Sequence, residues 1–145
     1  MTYQLVYSSA SSTPMQLEEL EDLLEQAQAN NAIHGITGAL VYADGFFLQI
    51  LEGDRESVER LMERISRDLR HETLTVLQEG DIPNRSFSDW KMAYISATPE
   101  QIAAWAGLSA TTRLPDVWEG IREDPDRVTQ LARSILGALV AGSAA

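Results

Sequence analysis

Gly35-Ile36-Thr37-Gly38-Ala39-Leu40-Val41-Tyr42-Ala43-Asp44-Gly45-Phe46-Phe47-Leu48-Gln49-Ile50-Leu51-Glu52-Gly53 is the stretch on which the fold turns. Ile36 to Tyr42 and Phe46 to Leu51 are apolar and β-prone, so each reads as a strand. Asp44-Gly45 between them is a hairpin signal, because glycine tolerates the positive φ that such turns require. Side chains alternate across a strand, so Phe47 and Leu51 point one way and Leu48 and Ile50 the other. Both faces are apolar, and both therefore need a cover. Gln49 interrupts an otherwise apolar run. A buried amide must find partners or cost up to several kcal/mol.

Working outward, Tyr3 to Tyr7 reads as a first strand and Ser8 to Thr13 as a polar loop. A helix follows, with Thr13 as N-cap, Pro14 at the first helical position and Gln16 three residues after the cap. Leu17, Leu20, Leu23, Leu24 and Ala27 form its buried stripe. Its end is expected near Asn30 or Asn31, where asparagine serves well as a left-handed cap. On the other side of the hairpin, Asp54 caps a second helix whose apolar face is Val58, Leu61, Met62 and Ile65. Thr73 to Leu77 and Trp90 to Ile95 read as further strands, joined by a loop carrying Gly80, Pro83 and Asn84.

The order is β-α-β-β-α-β-β. Its first six elements match the ferredoxin-like pattern, an α+β fold with two helices on one face of a sheet. From Thr98 the chain reads as helices. Thr98-Pro99 and Asp124-Pro125 pair capping residues with proline at helix starts, and Val128, Leu131, Ile135, Leu136 and Leu139 form the last apolar face. These helices are expected to cover the sheet's second face. The division expected is residues 1–98 and a helical extension over 99–145, with Gly142 to Ala145 a frayed tail.

The chain has 145 residues and no cysteine, which excludes disulfides, thiolate metal sites and cysteine nucleophiles. Its net charge of -11, from 22 acidic and 11 basic side chains, makes nucleic acid and anionic membranes poor partners. No apolar run approaches the roughly 20 residues of a membrane span. The N-terminus lacks the features of a signal peptide, so a cytoplasmic location is expected. His34 and His71 show no metal-binding spacing, and Gly35-Ile36-Thr37-Gly38 is too short for a phosphate loop. No metal site and no enzymatic activity are expected. Tyr7, Gln49, Asn30 and Asn31 stand out as polar groups at positions that do not read as ordinary surface. Gln49 is either a core amide bonded to backbone or a functional group.

Asn30-Asn31-Ala32-Ile33-His34-Gly35-Ile36-Thr37-Gly38-Ala39-Leu40 followed by Gly45 to Gly53 resembles the signature block of the BLUF photoreceptor family. The flanks agree: Leu5-Val6-Tyr7-Ser8-Ser9, Ile65 to His71, and Phe87-Ser88-Asp89-Trp90-Lys91-Met92. The resemblance covers roughly residues 1–98. It implies a blue-light sensor holding FAD, or FMN, non-covalently between the two long helices and the sheet. Tyr7 matches the family's electron-donating tyrosine and Gln49 its switching glutamine. Asn31, with Asn30 beside it, matches the residues at the flavin's polar edge and ribityl side. Phe47, Arg64, Ile65, Asp68 and His71 match positions lining the cofactor. Arg64, Ile65 and Asp68 share a helical face that His71 would continue. Trp90 and Met92 match a signal-relaying pair next to the glutamine, and alternation would put both on the flavin side. Some relatives carry a basic residue just before the paired asparagines, where this chain has Gln28 and Ala29, so FAD and FMN both stay open.

The family's mechanism implies electron transfer from Tyr7, proton movement through Gln49, and a rearranged amide that shifts the flavin band to the red. Output is then expected through self-association, as a homo-oligomer, or through a separate effector protein. The alternative is a cofactor-free ferredoxin-like interaction module in which Tyr7 and Gln49 are only core polar groups.

Overall fold

Asp44 and Gly45 take φ of 48° and 81°, the paired positive values of a tight hairpin turn, and join β2 (Thr37–Ala43) to β3 (Phe46–Gly53). The computed structural model describes residues 2–11, 15–68, 71–108 and 113–144. Around the hairpin stand β1 (Thr2–Ser11), α1 (Leu17–His34), α2 (Arg55–Ser66), β4 (His71–Ile82) and β5 (Ala93–Ser96). Three helices follow: α3 (Pro99–Trp105), α4 (Leu114–Glu123) and α5 (Asp126–Ala144). The five-stranded sheet has the order β4-β1-β3-β2-β5. β1 pairs antiparallel with both β3 and β4, and β5 lies parallel to β2. This is the α+β arrangement read from the sequence.

The hairpin's two-sided apolarity is used as expected. Phe47 and Leu51 join Tyr3, Leu5, Tyr7, Leu20, Ile36 and Val58 in a core beneath α1 and α2. Leu48 and Ile50 join Val6, Val41 and Ala93 on the opposite side, where Ile102, Val117, Ile121, Leu131 and Ile135 of α3 to α5 cover them. Gly38 is needed where β2 crosses β3: a Cβ there would stand 1.9 Å from the Ile50 carbonyl oxygen.

Several local expectations give way. Ser8 and Ser9 are 4% and 2% exposed inside β1, because a central strand is paired on both sides whatever its side chains. β4 runs past the expected Leu77 and includes Gly80. Thr13 and Pro14 lie outside the described residues, and Gln16 is the N-cap of α1, its N–H donating to Glu19 Oε1 at 3.2 Å. Along the α1 stripe, Leu20 is buried, Leu23, Leu24 and Ala27 are half-buried, and Leu17 is 69% exposed. Neither Asn30 nor Asn31 caps the helix. Gly35, at φ 65°, takes the left-handed position, and its N–H bonds to the Asn31 carbonyl.

β5 starts at Ala93, not Trp90, and the preceding residues bend. Trp90 N–H bonds back to the Phe87 carbonyl, while Gly38 N–H bonds to the Trp90 carbonyl. Strand alternation therefore does not apply there. Met92 belongs to the core under α1 and α2, whereas Trp90 packs against the core on the other side. His71 opens β4, opposite Ser11, rather than continuing α2, which ends at Ser66.

Candidate functional site

A cleft opens between α1 and α2 above the sheet. Tyr7 of β1, Leu40 of β2, and Phe47 and Gln49 of β3 form its floor. Leu23, Gln26, Ala27, Asn30 and Asn31 line one wall; Leu61, Arg64, Ile65 and the adjoining Asp68 line the other. The register explains the floor: Tyr7 faces Gln49 across β1 and β3, and Gln49 faces Leu40 across β3 and β2. The half-buried Leu23 and Ala27 line the cleft and also pack against the core beneath α1 and α2. Arg64 Nη1 donates to Asn30 Oδ1 at 2.7 Å, joining the two walls.

The Tyr7 hydroxyl donates to Gln49 Oε1 in the buried floor. Burial pushes the Tyr7 phenol well above the usual tyrosine range, and the Asp68 carboxylate raises it further. The phenol therefore keeps its proton. Gln49 Nε2 donates to the Met92 sulfur at 3.4 Å. The opposite amide orientation would set a carbonyl oxygen against that sulfur, which has no proton to give. The Met92 sulfur thus favours one of the amide's two orientations, while the Tyr7 hydroxyl, donor and acceptor both, can serve either.

Asn31 is 1% exposed. Its Nδ2 donates to the Lys91 carbonyl at 2.6 Å, which fixes the amide, and its buried Oδ1 has no partner. A buried acceptor left open calls for a donor. Gln28 Nε2 donates to the Met92 carbonyl at 3.1 Å. Gln28 thus braces the segment before β5.

Residues 2–93 match the family model "BLUF: Sensors of blue-light using FAD". The chain belongs to the BLUF family. Its likeness extends to the solved dark-state structure of BlrB, a BLUF protein, at TM-score 0.74 and 28% identity, covering 95% of this chain and 97% of that one. The ground state of BlsA aligns at TM-score 0.69 and 35% identity, covering 77% and 76%. Photoactivated adenylate cyclase subunit alpha of Euglena gracilis is 37% identical over 91 residues, 61% of this chain but only 9% of that protein. The chain thus spans a small part of the curated relatives it matches. This BLUF chain is a flavin-binding blue-light sensor module, and the BLUF unit as such is not an enzyme.

The residues present fit a flavin. The open Asn31 Oδ1 suits the imide N–H of the flavin ring, and the apolar Leu23, Ala27, Leu40, Leu61 and Ile65 suit its faces. Of the residues singled out from the sequence, Tyr7, Asn30, Asn31, Phe47, Gln49, Arg64, Ile65 and Asp68 line the cleft. Met92 adjoins it through Gln49, Trp90 lies across the sheet, and the His71 side chain is outside the described residues. Leu23, Gln26, Ala27, Leu40 and Leu61 were not singled out as site residues. Leu23, Ala27 and Leu61 read as parts of helical stripes, whose spacing does not distinguish a core from a cleft wall. Among the described residues, no His, Asp and Glu cluster could hold a metal and no helix is long and apolar enough to cross a membrane.

Proposed function

We propose that this chain senses blue light by a hydrogen-bond exchange at Gln49, with residues 1–98 as the flavin-binding unit. The observation that carries the reading is the Tyr7–Gln49–Met92 sequence of hydrogen bonds on the cleft floor. The flavin, FAD or FMN, supplies the light absorption and a strongly oxidising excited state. Asn31 and Asn30 would hold its polar side, Phe47 and Ile65 would meet the ring, and Arg64 and Asp68 would border it from α2 and just beyond.

Tyr7 is placed to lose an electron and to pass its hydroxyl proton to Gln49 Oε1, then recover both when charge recombines. Gln49 is left with its amide rotated or tautomerised. A glutamine amide has both a donor and an acceptor end, so one side chain holds two bonding patterns. In the rotated form the donor is withdrawn from the Met92 sulfur. Met92 is flexible and polarizable and can repack around that change. Output then passes through residues 90–96 to a homo-oligomer interface or a separate effector protein.

The test uses purified protein. It should be yellow, acid or heat should release all the colour, and blue light should give a dark-reversible red shift. Gln49→Leu and Tyr7→Phe should both retain flavin and both lose the shift. A normal photocycle in Gln49→Leu would contradict the exchange, and colourless wild-type protein would favour the cofactor-free interaction module.

A further inference from the structure

Glu52 is a charged side chain at 0% exposure, three residues beyond Gln49 on β3 and not among the residues lining the cleft. Four donors converge on its carboxylate. Oε2 accepts from Gln4 Nε2 at 3.1 Å and the Ser86 N–H at 2.7 Å. Oε1 accepts from Thr37 Oγ1 at 3.3 Å and the Phe87 N–H at 2.8 Å. A carboxylate has about four lone-pair sites, so it can accept all four donors. Arg85 Nη1 donates to Thr37 Oγ1 at 3.2 Å, tying the same loop to the same corner of the sheet.

The two backbone donors are what set Glu52 apart from a general core anchor. Ser86 and Phe87 begin the turn that ends at Met92. Phe87, itself 0% exposed, accepts the Trp90 N–H through its carbonyl. Beyond that turn, the Lys91 carbonyl is held by Asn31, the Met92 carbonyl by Gln28, and the Met92 sulfur by Gln49. The segment is therefore fastened at one end by a caged carboxylate and at the other by amides facing or flanking the cleft. Charge-assisted bonds to backbone N–H groups are roughly twice as strong as neutral ones. The Glu52 end is the one that stays put when an amide at the other end rotates.

We propose that Glu52 is a positioning residue for the signal: its carboxylate fixes Ser86 and Phe87 so that a change in the Gln49 amide displaces Met92 and the start of β5. This rests on the photoreceptor reading above. If the anchor is released, the segment follows the rotated amide as a whole and the displacement is not passed on to β5.

The experiment compares wild-type and Glu52→Gln holoprotein by absorption and by amide hydrogen exchange, in darkness and under blue light. Gln keeps the shape but turns an NH2 towards two of the four donors. Whichever of the Ser86 and Phe87 amides meets the NH2 should exchange about tenfold faster or more in the dark, the other less so. The red shift should persist, because Glu52 does not line the cleft, while the light-minus-dark difference at Met92 to Ile95 is largely lost. Thr37→Val removes one donor to Glu52 and the acceptor of Arg85 but leaves both loop N–H bonds to the carboxylate, and should fall between the two proteins; it also serves if Glu52→Gln does not fold. A variant whose loop amides exchange faster but whose difference at Met92 to Ile95 stays at the wild-type level would overturn the positioning role. Wild-type exchange throughout would overturn the anchor itself. Absence of a red shift in the wild type would instead overturn the photoreceptor reading, which separates the two failures.

Discussion

On one side of the sheet Val6, Val41, Leu48 and Ile50 meet Ile121, Leu131 and Ile135 at 0–1% exposure. On the other, Tyr7, Phe47 and Gln49 lie under a cleft between two helices, with Asn31 presenting a buried oxygen that lacks a partner. The same five strands supply both surfaces. The closed side has the tight, dry packing of a protein interior, which transmits strain and resists rearrangement. The cleft side keeps the Tyr7 hydroxyl and the Asn31 and Gln49 amides within its lining. A switch of a few hydrogen bonds needs such a rigid backing, or the rearrangement would spread into the fold. On the proposed reading Glu52 and Met92 link the two sides, one through a caged carboxylate and the other through a soft thioether.

The strongest way to break this comparison is to remove the cover. A chain ending near Thr98 would expose Val6, Val41, Leu48 and Ile50, each stabilised by about 1.5–3 kcal/mol on burial. Their sum is comparable with the whole stability of a domain, about 5–15 kcal/mol. Such a protein should aggregate or change subunit number while any folded fraction still takes up flavin, and size-exclusion chromatography with absorption detection reads both. A clean truncated protein of unchanged size would mean that the dry face is not what holds the sheet.

A smaller effect separates the two sides at their junction. Met92→Ala removes the sulfur that accepts from Gln49 but leaves the Tyr7–Gln49 bond. The red shift should remain, and any light-dependent change in association should weaken by about 5- to 150-fold, the range of a coupling of 1–3 kcal/mol. Light scattering in light and darkness gives the comparison. An undiminished output would place the route elsewhere, through α3 to α5.

The smallest effect concerns protons. The Tyr7 phenol titrates higher in the folded chain than in the unfolded one, chiefly from burial and then from Asp68. Its contribution to stability is therefore complete below about pH 10, the unfolded tyrosine value, and is lost as pH rises through the folded value. Against wild type, Tyr7→Phe should show a flatter decline of stability above about pH 10, with a difference in slope of at most about 1.4 kcal/mol per pH unit. Denaturant titrations across that range measure it. Identical profiles would mean that Tyr7 is not shielded in the folded state.

Much of this was legible without coordinates. The Asp44-Gly45 turn, the two-faced apolar strands and the covering helices follow from alternation, helical spacing and turn chemistry, all of which are local. The Tyr7–Gln49 pair was legible only through the resemblance, since nothing local tells a core glutamine from a switching one. Ser8 and Ser9 misled because polar side chains do not prevent a strand when both neighbours supply backbone partners. Trp90 departs from the expected side because alternation does not hold through a bend, whereas Met92 does lie on the side of Gln49.

The sequence by itself determined the element order, the α+β class and the family, because these rest on periodicities and a motif held within short stretches. Only the tertiary structure decided that Gly35 rather than an asparagine caps α1, that Met92 and Trp90 face opposite cores, and that Gln28 braces the Met92 segment. It alone brought Glu52 to Ser86 and Phe87 across more than thirty residues of chain. The physical reason is the same in each case. A buried polar group is satisfied by whatever donor or acceptor the packing delivers, and that partner is set by the meeting of distant segments rather than by its neighbours in sequence.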